Sequence, residues 1–343
     1  MAQVVLRDGT VIKDYAVPYI IAEINSSHNG RVETARKMIE TAKEIGVSCV
    51  KFQSWSADSL YSESYYAGNP IARRIVQKFS LNEEQLGELA DYCAEIGISF
   101  SSTPYSRREV DFLLERCRAP FIKIASMDIN NPEYLKYIAG TGAPIILSTG
   151  MAETAEVERA VKTLEDAGNP NIILLHCISI YPAAPSTIHL NNIAGLREAF
   201  PGCPVGFSDH TLGIETACAA TALGAAVIEK HFTLDKTKMG MDNNMATEPD
   251  EFARMIQCCR NVHEALGSKE RIVSEAEYEQ RKKMRRSVIA ARDLKAGQTL
   301  SPADLDVKRP GTGIPADRLE SLVGRTLTRD IKADTLLADT DFR

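Results

Sequence analysis

Lys51 lies inside the apolar run SCVKFQ and Lys123 inside FIKIA, while His210 and His231 close the runs PVGFSDH and AVIEKH. An unpaired ammonium inside a buried strand costs several kcal/mol, so each lysine needs an anion from the protein or from a ligand. Hydroxyls recur near the ends of neighbouring runs, at Thr103, Ser126, Ser148 and Ser208. Two lysines with such hydroxyls make a cradle for a small phosphorylated carboxylate. A Schiff-base lysine is the competing role, but it calls for one desolvated amine rather than two. The two histidines could share a divalent cation, with Glu229, Asp209 or water completing its shell. Alternatively, both only hydrogen-bond a substrate.

All of these residues sit at one kind of position. Short apolar runs recur between residues 19 and 267: YIIAEI, SCVKFQ, ISFSS, FIKIA, PIILS, IILLHC, PVGFS and AVIEK. In order they end on Glu23, on Lys51 and Gln53, on Thr103, and on Lys123 with Ser126 and Asp128. Ser148 follows, then His176 with Ser179 and Tyr181, Ser208 with His210, and Glu229 with His231. Segments of helical period lie between the runs. In VETARKMIETAKEIG, for instance, Val32, Ala35, Met38, Ile39, Ala42 and Ile45 share one face. Ser80 with Glu83 and Ser106 with Glu109 have capping-box spacing, and Pro132 reads as a first-turn proline. Eight strands alternating with helices predict an α/β fold of the (β/α)8 TIM-barrel type. A doubly wound open sheet usually carries a glycine-rich phosphate loop, and neither GxGxxG nor GxxxxGK[ST] occurs. In a (β/α)8 barrel the carboxyl ends of the strands form the active site, so reactive side chains at all eight ends point to an enzyme.

Other stretches frame the barrel. Residues 54–80 read as a long loop after the second strand, and VVLRDGTVI as a hairpin around Asp8-Gly9 that plugs the barrel bottom. The charged stretch 268–287 reads as a helix or linker leaving the barrel. Beyond it, ARDLKAGQTL and TRDIKADTLL are near copies 37 positions apart, which predicts a small, pseudo-symmetric, mostly β module. The expected division is a barrel domain with its hairpin at 1–267, a linker at 268–285 and the module at 286–343.

Composition narrows the partners. A net charge of -6 argues against nucleic acid or an anionic membrane. No apolar run approaches the roughly 20 residues of a membrane span, and no signal peptide is expected. Eight cysteines without a CxxC pair read as reduced thiols in a cytoplasm.

The motifs AEI..SHNG, VKFQS, FSSTPYS, IKIAS.D..N, ILSTGM, LLHCISIYP, GFSDHT, EKHFTLD and VKRPGTG resemble, in order, the sialic acid synthase family. The resemblance covers nearly the whole chain. It implies a (β/α)8 barrel followed by a small antifreeze-like (SAF) domain of the β-clip type. It also implies an activity: condensation of phosphoenolpyruvate (PEP) with an N-acetylmannosamine-type sugar to a nine-carbon 3-deoxy-2-keto acid, with release of phosphate. Legionaminate- and pseudaminate-type synthases, which take 6-deoxy diacetamido sugars, belong to the same resemblance. Matched residue by residue, it implies that Lys51 and Lys123 hold PEP with Thr103, Ser126, Ser148, Ser179 and Ser208. His210 and His231 would bind a divalent metal, typically Mn2+, that polarises the sugar aldehyde. Gln53, Asn69, Asp128, Tyr181 and Asp242 would contact the sugar, and Glu23 would sit over the reacting carbons. Arg309 would reach the acyl-amino group in the partner subunit's site, which implies a domain-swapped homodimer. The chain departs from the common pattern at Asn25, Ser27, Asp128 and Met239-Gly240-Met241, all around the sugar end.

Overall fold

The computed structural model describes residues 2–343, in two compact units, Met1–Gly267 and Ser268–Arg343. The first begins with a hairpin, β1 (Gln3–Val5) against β2 (Val11–Lys13), in antiparallel register with Val4 opposite Ile12. Eight parallel strands follow: β3 (Tyr19–Glu23), β4 (Cys49–Gln53), β5 (Ser99–Thr103), β6 (Ile122–Ile124), β7 (Ile145–Ser148), β8 (Ile172–Cys177), β9 (Val205–Asp209) and β10 (Val227–His231). The ladder runs β5-β4-β3-β10-β9-β8-β7-β6, so its two ends are neighbours in the chain. Across that seam Ser101 Oγ donates to the Phe121 carbonyl at 3.3 Å, giving a nearly closed barrel. The helices between are α1 (Val32–Glu44), α2 (Ala57–Leu60), α3 (Glu63–Gly68), α4 (Pro70–Phe79), α5 (Glu83–Ile96), α6 (Arg107–Glu115), α7 (Pro132–Gly140), α8 (Thr154–Asp166), α9 (Asn192–Ala199), α10 (Glu215–Ala222) and α11 (Pro249–Leu266).

Strand alternation sorts the side chains. Residues such as Val50, Phe52, Phe100, Leu147 and Phe207 face outward and pack with the helix stripes, including Ala35, Met38, Ile39 and Ala42 of α1. Inward residues at the amino ends, among them Tyr19, Ile21, Phe121, Ile146, Ile173 and Val227, form a second cluster with Val4, Leu6 and Ile12 of the hairpin. Burying each large apolar side chain contributes about 1.5–3 kcal/mol. The hairpin therefore closes the lower end as the sequence predicts, and the upper interior is left to polar side chains.

Two local expectations are corrected. Residues 54–80 are not an irregular loop but hold α2, α3 and α4, started by Ser56 and Ser62 as caps and by Pro70 in a first turn. The cap of α5 is Asn82, whose side chain and that of Gln85 form the reciprocal box, whereas Ser80 ends α4. Ser106 does cap α6, but Glu109 turns its carboxylate to the Tyr105 N–H at 2.7 Å.

The second unit contains α12 (Glu275–Met284) and the pair β11 (Ser287–Ala290) with β12 (Leu305–Lys308). Residues 268–285 cluster with this unit, and the Gly311 N–H donates to the Lys282 carbonyl at 2.9 Å. The internal repeat is a two-fold arrangement of bonds. Arg292 Nε meets buried Asp304 at 2.7 Å, and Arg329 Nε meets buried Asp341 at 2.6 Å. Lys295 pairs with Asp330 at 2.7 Å, and Lys332 with Asp293 at 2.9 Å. Among the described residues no helix is long and apolar enough to cross a membrane.

Candidate active site

Glu23, Lys51, Gln53, Thr103, Lys123, Ser148, Ser208, Glu229 and His231 are inward residues at the carboxyl ends of their strands. With Ser126, Ser179, Tyr181, His210 and Asp242 they line one cavity of about 340 Å³. That size suits a small polar substrate pair rather than a polymer.

The lysines are held by acids of the barrel itself. Lys51 Nζ contacts the Glu23 carboxylate directly, donates to Thr103 Oγ1 at 3.0 Å and lies 3.8 Å from Glu229. Lys123 Nζ donates to Ser148 Oγ at 2.7 Å and lies 3.6 Å from Glu229. Ser208 Oγ donates to the same glutamate at 3.1 Å. Glu229 is thus the counterion shared by both lysines, not a spare carboxylate for a metal. Burial pulls the Lys51 ammonium down, but Glu229 and Glu23 outweigh it and raise its pKa. For Lys123, burial wins over Glu229 and the pKa is lowered. The acids also part company. Burial raises Glu23 despite Lys51, whereas for Glu229 burial is outweighed by Lys123 and Lys51 and the pKa falls. The two carboxyls are thus pushed in opposite directions by burial and the lysines.

Gly150, absent from the sequence reading, sets the shape beside this network. Its N–H donates to Ser126 Oγ at 3.0 Å, and a Cβ there would fall 2.8 Å from that hydroxyl and 2.9 Å from Cys177 Sγ. A Cβ would also clash with Ser179 Oγ, so the missing side chain lets Ser126, Ser179 and Cys177 close in on the backbone here. Tyr105 was also missed; its hydroxyl donates to Gln53 Oε1 at 3.0 Å.

The imidazoles of His210 and His231 lie 5.5 Å apart between centroids, with Tyr181 4.2 Å from His210. His210 Nδ1 is 2.7 Å from the Ile178 carbonyl, so that nitrogen carries the proton and Nε2 keeps its lone pair. Burial lowers both pKa values, and His210 lowers His231 further, so both rings are neutral. Neutral rings with one tautomer fixed by a carbonyl fit a divalent cation. Among the described residues no third His, Cys, Asp or Glu joins them, so water and substrate would fill the other positions. Asp209, a candidate for that shell, faces the opposite way because it lies one residue off the inward set. It is fully buried and pairs with Lys230 at 2.8 Å, while Lys230 also donates to the Thr211 carbonyl at 2.8 Å. The Thr211 N–H and hydroxyl and the Thr216 hydroxyl complete its shell at 2.9, 2.8 and 3.0 Å.

Two predicted residues, Asn69 and Asp128, do not line the cavity. Asn69 is exposed between α3 and α4 and turns its amide onto the Tyr65 carbonyl at 3.1 Å. Arg309 is an exposed residue of the second unit. Asp128, in the turn after β6, keeps a buried Oδ2 without a hydrogen-bond partner, and burial raises its pKa to about 6. The folded chain therefore holds this proton more tightly than the unfolded chain, whose value is near 3.8. Stability falls as pH rises between these two values and stays reduced above about 6. Asp128→Asn is expected to raise the denaturation midpoint at pH 7 and to flatten its pH dependence in that window. An unchanged slope would show that Asp128 is not the group responsible.

Residues 38–271 match the NeuB family and residues 285–343 the SAF domain. An N,N'-diacetyllegionaminic acid synthase of Campylobacter jejuni is 38% identical over 93% of this chain and 98% of its own. An N-acetylneuraminate-9-phosphate synthase of Drosophila melanogaster is 34% identical over 92% and 93%. The crystal structure of an N-acetylneuraminic acid synthetase from Leptospira borgpetersenii superposes with a TM-score of 0.74 at 31% identity, covering 82% of this chain and 95% of that one. With its barrel, its trailing module and the pairing of lysines and histidines at the strand ends, this chain belongs to the NeuB family.

Proposed function

We propose that this chain is a sialic-acid-type (nonulosonate) synthase that joins PEP to N-acetylmannosamine or a related acetamido sugar and releases phosphate. The observation that carries the reading is the pair of buried lysines facing a pair of neutral imidazoles across one cavity. Lys51, Lys123, Thr103, Ser126, Ser148, Ser179 and Ser208 match the charge and donor needs of PEP. Carbon 3 of PEP forms the new bond to the aldehyde carbon of the open-chain sugar. Positive charge then appears at carbon 2, water adds there, and phosphate leaves with its bridging oxygen. Glu23, with its raised pKa and its position against Lys51, carries the proton that these steps need and faces the cationic carbon. Glu229 keeps both lysines charged until the anion arrives. A divalent ion, Mn2+ by resemblance, would be held by His210 and His231 and would supply Lewis acidity at the aldehyde oxygen.

The test is phosphate release from PEP with Mn2+ and a panel of acetamido sugars, including 6-deoxy diacetamido hexoses. No release with any of them overturns the reading. Glu23→Gln is expected to lower turnover about a hundredfold or more while PEP affinity changes less than about threefold. Near-normal turnover would remove Glu23 from the proton-carrying role.

A further inference from the structure

The turn after β3 ties the acid on the first barrel strand to the segment that follows the last. Asn25 takes the left-handed region at φ 44°, and its backbone N–H donates to Glu23 Oε1 at 2.9 Å. Gln53 Nε2 reaches the same oxygen at 3.3 Å. The Asn25 side-chain amide donates to Asp242 Oδ2, a residue 217 positions away that lines the cavity. The neighbouring Ser26 accepts the Met241 N–H at 3.1 Å. Both turn residues are buried, at 4% and 1% exposure. Two successive side chains therefore staple the 239–242 segment across the mouth of the barrel.

Asn25 is left with one open bond. Its Oδ1 is buried and has no hydrogen-bond partner among the described residues. That oxygen is enclosed and Asn25 does not line the cavity, so the side chain reaches the site through Asp242. The turn thus joins Asp242, which lines the cavity, to Glu23, which touches Lys51.

We infer that Asn25 is a specificity-determining residue of the acceptor subsite. It acts through Asp242, which lines the cavity, by holding that carboxylate in place for the amino sugar. The inference rests on the synthase reading above, and its test separates the two. Asn25→Gly suits the left-handed backbone and deletes the amide, whereas Asn25→Asp keeps the shape but sets a second carboxylate against Asp242. In steady-state assays Asn25→Gly should raise the sugar KM about tenfold while the PEP KM moves less than twofold. Asn25→Asp should bind sugar more weakly than Asn25→Gly. Hydrogen exchange of residues 239–245 should speed up in both variants, a readout that needs no turnover. An unchanged sugar KM, or PEP and sugar KM rising together, overturns the role in the subsite. Unchanged exchange overturns the staple. Absence of phosphate release by the unaltered protein would instead bring down the synthase reading, leaving the exchange result to decide on the staple alone.

Discussion

Lys230→Met is expected to cost about 3–5 kcal/mol of stability, the range for breaking a buried ion pair from one side. Met matches the stem of the lysine, so little packing is lost, and the cost is that of an uncompensated Asp209 carboxylate. That carboxylate is wholly enclosed and keeps only the three threonine donors once the ammonium is gone. The double variant Asp209→Asn/Lys230→Met removes the charge while its amide oxygen still accepts from Thr211. It should recover more than half of the loss. Urea denaturation of the unaltered protein, the single variant and the double variant checks this, and a double variant as unstable as the single one would refute the charge argument. The pair also matters for the site. Asp209 and Lys230 each precede one of the two histidines, so they lock β9 and β10 at the rows that carry His210 and His231.

Lys123→Met should lower kcat/KM for PEP about a thousandfold, roughly 4 kcal/mol, with little change in the sugar KM. Lys123 shows the larger effect of the two lysines because it is the less compensated. Lys51 touches Glu23 and faces Glu229, whereas Lys123 has Glu229 at 3.6 Å and a neutral serine. An arriving phosphate or carboxylate supplies the anion that Lys123 lacks. The sign of its pH dependence follows. The ammonium is the binding form and its pKa is depressed by burial, so PEP affinity should decline on the alkaline side at a lower pH than for an ordinary lysine. Lys123→Arg stays charged there and should flatten that decline even if its longer fork binds less well. Calorimetric titration of PEP across alkaline pH is the measurement. A loss below tenfold in Lys123→Met would move the main anion contact to Lys51.

Much of this site was legible in the chain because a barrel strand has period two and a definite end. The stops and polar ends of eight runs located Glu23, Lys51, Lys123 and the histidines. Counting parity one step further puts Glu229 with His231 inside and Lys230 outside. That count also turns Asp209 away from the cavity, where metal-ligand reasoning had left it open. Gly150 leaves no signal of its own, since a glycine after a strand usually marks only a turn. The Asn25–Asp242 contact spans most of the barrel sequence and depends on side-chain direction, which no local pattern encodes. The helices in 54–80 were hidden by short length and aromatic content, although Ser56 and Ser62 carried cap signals.

The second unit's repeat has a consequence for how it can be divided. Asp293, in the first copy, accepts from Ala333 and Lys332 in the second, and Asp330, in the second, accepts from Ala296 and Lys295 in the first. Leu294 and Ile331 exchange backbone bonds in both directions, at 2.8 and 3.0 Å. Each copy therefore holds bonds that close the other, beside the arginine–aspartate pair that each half keeps for itself. A deletion that spares one whole copy still leaves it with open loops and stranded charges, so the smallest foldable piece is the pair.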